Sequence, residues 1–149
     1  MHCHLRNQLN KFSENPEKKW RANTCEILTM LCLDTYALVE LAKDNPKFTH
    51  YNKREFVTTD ITLAEFYNIM MRDFNEQTAD YWFKKISPNS KFVSKEILIE
   101  AVKFRRQNKE KNLSFFDCVG YVYTKISKLR FLTGDKEFEG MSNVEFVKK

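Results

Sequence analysis

The longest apolar stretch in the chain is the run Ile27-Leu-Thr-Met-Leu-Cys-Leu33, and it closes on Asp34. A run of that length bounded by polar residues reads as a buried strand. It is far short of the about 20 apolar residues a membrane helix needs, so the chain is not expected to cross a bilayer. After Asp34 the period changes to that of helices. Leu38, Leu41 and Ala42 give a helix over 36–44, with Pro46 shortly beyond its end. A short strand is predicted at 56–59. Leu63, Phe66, Tyr67, Met70, Met71 and Phe74 then mark an amphipathic helix over 62–74. A further helix over 76–86 is broken by Pro88. A short strand or loop falls at 92–93. Two helices are predicted over 95–107, burying Ile97, Leu98, Ala101, Val102 and Phe104, and over 115–127, burying Phe116, Val119, Gly120, Tyr123 and Ile126. Strands at 129–133 and 144–147 flank a turn or short helix at 136–138. Strands alternating with helices predict an α/β sandwich with a mainly parallel sheet.

Composition agrees with one folded domain. Hydrophobic residues make up 42% of the 149, too many for wholesale disorder. Residues 1–26 differ from the rest: they are polar, with Leu5, Leu9 and Phe12 at a weak helical spacing, and read as an appendage to a domain over 27–149. The start carries no apolar leader, and the four cysteines are scattered, so a reducing cytoplasm is the expected setting. Cys32 and Cys118 sit in apolar runs and read as buried thiols. His2, Cys3 and His4 alternate at the terminus, without a second cluster to complete a zinc site.

Four acids stand where predicted strands hand over to helices: Asp34, Glu65, Asp117 and Asp135. In open parallel sheets the strand-to-helix loops converge on one crevice. Carboxylates meeting there repel one another unless a hard cation such as Mg²⁺ lies between them. Each acid also has a plainer reading. Thr62-x-x-Glu65 has the form of a capping box, and Ser114-x-x-Asp117 the related form. Asp34 suits an N-cap, and Asp135 a turn beside Gly134. Spacing alone leaves both readings open.

The flanking residues add a resemblance. Leu31-Cys-Leu-Asp34-Thr35-Tyr-Ala-Leu38-Val-Glu-Leu41 is similar to the opening of a PIN-domain nuclease. Ile61-Thr-Leu-Ala-Glu65-Phe-Tyr-Asn resembles the second motif of that family, and Asn112-Leu-Ser-Phe-Phe-Asp117-Cys-Val-Gly-Tyr the third. Phe131-Leu-Thr133-Gly-Asp135-Lys-Glu-Phe138 resembles the fourth. The size is most similar to VapC-type toxins of toxin–antitoxin pairs. The resemblance implies a three-layer sandwich with a short, mainly parallel central sheet flanked by helices. It implies a Mg²⁺- or Mn²⁺-dependent endoribonuclease, with Asp34, Glu65, Asp117 and Asp135 as catalytic, metal-binding acids and products ending in 5′-phosphate and 3′-hydroxyl. Thr35 and Thr133 would orient carboxylates or waters. Glu137 stands where the family often has a further Asp, and the resemblance makes it a further candidate ligand, whose longer arm would have to reach the same metal. The resemblance also implies an RNA substrate, a homodimer and a small antitoxin protein as partner. A non-catalytic PIN-fold RNA-binding or scaffold protein, its acids acting only as caps, is the alternative.

Positive charge is placed unevenly. Between Lys84 and Arg130 there are twelve basic residues against four acids. Lys103, Arg105, Arg106 and Lys109 are the candidates for RNA phosphates, with Tyr36, Tyr121 and Tyr123 as candidates for base stacking. The plainer reading is the solvated face of two helices. Phe48, Tyr51, Phe74, Tyr81, Trp82 and Phe83 are large apolar groups to be divided between core and a partner face.

Overall fold

The computed structural model describes residues 30–148. The segment 1–26, with His2, Cys3 and His4, lies outside the described residues. Five strands form one sheet in the order β3-β2-β1-β4-β5, every pairing parallel. They are β1 (Leu31–Leu33), β2 (Phe56–Thr59), β3 (Ser90–Lys91), β4 (Arg130–Thr133) and β5 (Val144–Phe146). The helices are α1 (Thr35–Ala42), α2 (Asp60–Asp73), α3 (Glu76–Ile86), α4 (Lys95–Gln107) and α5 (Phe115–Ser127). Short 3₁₀ turns lie at Thr49–Lys53, Ser87–Asn89 and Lys136–Phe138.

The three layers follow from the period-2 alternation of strand side chains. Leu31 and Leu33 of β1 and Leu132 of β4 point to one face, where they meet α1, α2, α3 and the rings of Phe48 and Tyr51. Phe131 points to the other face, against Ala101 of α4 and Cys118, Val119 and Tyr121 of α5. Cys32 joins Val57, Leu129 and Tyr123 there. β1 is therefore buried on both sides, as the opening run requires. Cys32 and Cys118 are buried free thiols. Among the described residues, no helix is long and apolar enough to cross a membrane.

Several details differ from the sequence reading. β3 lies at Ser90–Lys91, two residues before the apolar pair Phe92–Val93. It is defined by backbone pairing with Thr58 and Thr59 of β2 rather than by side-chain burial. Phe92 is left in solvent, while Val93 enters the core. On α4, Val102 is exposed. On α5, Phe116 and Ile126 are exposed, and Cys118, Tyr121 and Val122 are buried instead. The buried face of α5 is turned because α4 covers it from a second side, with the Phe104 and Tyr121 rings 5.0 Å apart. Tyr121 is thus a core residue, its hydroxyl donating to the Ser142 carbonyl, and is not free to stack on a base. Phe48 and Tyr51 are core, while Phe74, Tyr81 and Phe83 are exposed.

Candidate active site

Chain order along the sheet reverses between β1 and β4, so a crevice opens at the carboxyl ends of those two strands. Asp34 follows β1 directly, and its N–H donates to the Leu132 carbonyl at 3.1 Å, which fixes it against β4. The side chain caps α1, with Oδ1 accepting from the Ala37 N–H at 2.7 Å. The residue is only 2% exposed. Its Oδ2 is buried and has no hydrogen-bond partner.

Glu65 is not where the capping-box pattern puts it. β2 runs straight into α2, and Thr59 rather than Thr62 is the N-cap, accepting from the Thr62 N–H at 3.0 Å. Glu65 therefore lies in the second turn and caps nothing. Its carboxylate accepts a hydrogen bond from the buried Thr35 hydroxyl, which reaches it from α1.

Asp117 keeps its predicted place in the first turn of α5. Ser114 is the N-cap, its oxygen accepting from the Asp117 N–H at 3.0 Å and donating to Asp117 Oδ2 at 2.6 Å. The capping pattern assigns Ser114 only the first of these contacts; the S-x-x-D spacing is the signal for the second. Asp135 caps the 3₁₀ turn after β4, with Oδ1 accepting from the Glu137 N–H at 3.0 Å. Its own N–H donates to the buried Thr133 hydroxyl at 3.0 Å. The local hydrogen bond to Asp34, Asp117 and Asp135 engages one carboxylate oxygen in each. Capping and ligand roles are therefore compatible, not alternatives.

The four acids act on one another. Burial raises the Asp34 carboxyl well above its ordinary range, and the charges of Asp117 and Asp135 raise it further; the Thr133 side chain and the Ala37 N–H oppose this. Burial likewise pushes Asp117 up to about 6, with Glu65 and Asp135 adding to the effect and the Ser114 hydroxyl opposing it. Glu137 is not among the groups that raise either acid. Among the described residues, no three His, Cys, Asp or Glu side chains form a ready ligand set for one ion.

The Asp117 shift fixes a pH dependence. A carboxyl with a folded-state pKa above its unfolded value costs the fold stability as pH rises from the unfolded value through the folded one. In chelator, Asp117→Asn is expected to melt above the wild type beyond pH 6. The gap should narrow as the pH falls through about 4 and close below about 3, where Asp117 is protonated in both states. Equal melting temperatures across that range would contradict the coupled acid cluster.

The basic candidates separate. Lys103 is paired with Glu100 on the same helix at 2.6 Å. Arg105, Arg106 and Lys109 line a common cavity with Lys111, which the spacing argument had not singled out.

Comparison with known proteins decides the family. The PIN domain family profile matches residues 31–144, from β1 into β5. The chain belongs to the PIN-domain family. No curated protein matches this PIN domain in sequence. Its fold is similar to VapC20 of Mycobacterium tuberculosis, a toxin that cleaves the sarcin–ricin loop, with TM-score 0.67 and 14% identity over 80% of this chain and 98% of that one. A toxin–antitoxin complex from Klebsiella pneumoniae gives TM-score 0.64 and 18% identity, over 80% of this chain and 99% of the other. VapBC2 of Rickettsia felis, bound to a promoter DNA fragment, gives 0.62 and 12%, over 80% and 98%. At these identities the likeness is one of fold.

Proposed function

We propose that this PIN domain is a divalent-metal-dependent endoribonuclease acting as the toxin of a toxin–antitoxin pair. One observation carries the reading: Asp34 is buried, commits one oxygen to a cap, and holds the other without a partner beside Asp117 and Asp135. A buried anion among like charges is costly unless a cation balances it. Mg²⁺ or Mn²⁺ fits this donor set, because all the donors are hard oxygens. Mg²⁺ keeps several of its waters and needs only one or two direct carboxylates, which suits acids that do not close on a single point.

Asp34, Glu65, Asp117 and Asp135 would hold the ion directly or through water, with Glu137 at the margin. When bound, the ion supplies an activated water and neutralises charge on the phosphodiester. The remaining work belongs to the protein's own groups. Thr35 fixes the Glu65 carboxylate, and Ser114 fixes that of Asp117. Thr133 holds the Asp135 backbone and lies against Asp34. Such contacts keep the acids in one geometry, the condition for in-line attack.

The toxin and antitoxin names of the fold neighbours support the pairing. The exposed Phe83 ring lines a cavity of about 470 Å³ with Leu63, Ala64 and Tyr67, rimmed by Asp60 and Asp80, and offers surface for an antitoxin helix or a second copy. The expected setting is the cytoplasm, as a homodimer. The test is incubation of single-stranded RNA with the protein in Mg²⁺ or Mn²⁺ and in EDTA. Cleavage to 5′-phosphate and 3′-hydroxyl ends is expected, and its loss in EDTA and in Asp117→Asn. Intact RNA under every condition would leave a non-catalytic binding module.

A further inference from the structure

A second site adjoins the acids. The end of α4 and the segment leading into α5 enclose a cavity of about 470 Å³ lined by Arg105, Arg106, Lys109, Lys111, Asn112 and Leu113. No carboxylate lines it; Glu110 lies between two of these residues in sequence but not in the lining. None of the four cations forms an ion pair among the described residues. Four unbalanced cations around one concavity focus a positive potential into it.

Two of the cations are held in place by the same segments that carry the acids. Arg105 Nε donates to the Leu113 carbonyl at 2.9 Å, one residue before the Ser114 cap of Asp117. Lys111 Nζ donates to the Glu137 carbonyl at 2.7 Å, in the 3₁₀ turn capped by Asp135. These bonds each take one N–H. The Arg105 fork keeps its terminal N–H groups, and Lys111 keeps two donors. Arg106 and Lys109 are exposed, and neither forms an ion pair among the described residues. The cavity is therefore tied by hydrogen bonds to the two segments that carry Asp117 and Asp135.

We infer that this cavity binds a phosphodiester of the same RNA strand whose neighbouring linkage lies at the acids. The inference rests on the reading of RNA as substrate. A single strand gives a repeating phosphate, so one linkage held by cations fixes where the next lies. Charge-assisted hydrogen bonds from Arg and Lys suit that oxygen-rich group. Such contacts make affinity fall with salt, by about 0.7 in log–log slope per phosphate on single strands.

The experiment measures binding apart from cleavage. Fluorescein-labelled single-stranded RNA is titrated by anisotropy in Mg²⁺ with the full chain carrying Asp117→Asn, which keeps the RNA intact. Adding Arg106→Gln and Lys109→Gln is expected to weaken binding about tenfold at moderate salt and to flatten the salt slope by about 0.7, the share of one phosphate. Lys84→Gln with Lys85→Gln makes the same change in net charge on α3 and is expected to have a much smaller effect. An unchanged affinity in the Arg106/Lys109 pair would overturn the inference. So would an equal loss in both pairs, which assigns the effect to net charge, or no binding at all by the starting protein. Cleavage by the wild type is read separately. RNA bound in the cavity but never cut ends the nuclease reading and leaves the cavity standing; RNA cut by the wild type but bound equally by the Arg106/Lys109 pair does the reverse.

Discussion

Asp34→Asn is expected to lower RNA cleavage about a thousandfold and to raise the melting temperature of the metal-free protein. The loss follows from removing a charge that helps hold the cation. Several kcal/mol of charge stabilisation, at about 1.4 kcal/mol per tenfold, correspond to that factor. The gain follows from the same atom. Asp34 is buried beside Asp117 and Asp135, so its folded form bears the cost either of the charge or of the proton that removes it. Asparagine is neutral and keeps an oxygen to accept from the Ala37 N–H, so the α1 cap survives. Asp34→Ala separates the two effects: it loses the same charge and the cap as well, at about 1 kcal/mol. Its melting temperature should therefore lie below that of the asparagine variant, with cleavage equally low. Melting in chelator and cleavage in Mg²⁺ provide the check. Wild-type cleavage by the asparagine variant, or a fall in its melting temperature, would remove Asp34 from the site.

That opposition of stability and activity was not legible in the sequence, although the four acids were. Junction positions and flanking residues brought Asp34, Glu65, Asp117 and Asp135 together on paper, and the fold places them in one another's electric fields. What spacing could not supply was which carboxylate oxygen each cap uses. Caps and ligands looked like rival readings because a sequence pattern treats a carboxylate as one group. The start of α2 shows a second limit. Thr59 and Thr62 both suit an N-cap; the choice fell to Thr59 because β2 is pinned to β1, with the Thr58 hydroxyl donating to the Leu33 carbonyl, and no loop separates it from α2. By contrast, the ranges read from the sequence for α3, α4 and α5 match to the residue; Pro88 follows α3, and Ser94 and Ser114 cap α4 and α5. Their outward faces were less legible, since the burial of α5 depends on where α4 lies against it.

Gly134→Ala is expected to cost about 1–3 kcal/mol and to reduce cleavage about a hundredfold, although the sequence reading makes this residue only a turn glycine. The reason is space rather than conformation, because Gly134 does not adopt a positive φ. A methyl group there would stand 2.0 Å from Cε1 of Tyr36 and 2.7 Å from its Cζ. The ring cannot simply swing away. It packs edge-on against buried Phe48 with centroids 5.9 Å apart, and its hydroxyl is itself buried. Either the ring or the turn must therefore move, and the turn joins Thr133 to Asp135. A shift of about 1 Å in a positioned group is enough for a hundredfold loss. A double-mutant cycle tests the cause. Tyr36→Ala destabilises on its own by lost packing, but it empties the space the new methyl group needs. In that background the further cost of Gly134→Ala should fall close to zero, giving a coupling well beyond the few tenths of a kcal/mol seen between independent sites. Additive losses would mean that Tyr36 is not what excludes a side chain at 134, and that the glycine serves the turn in some other way.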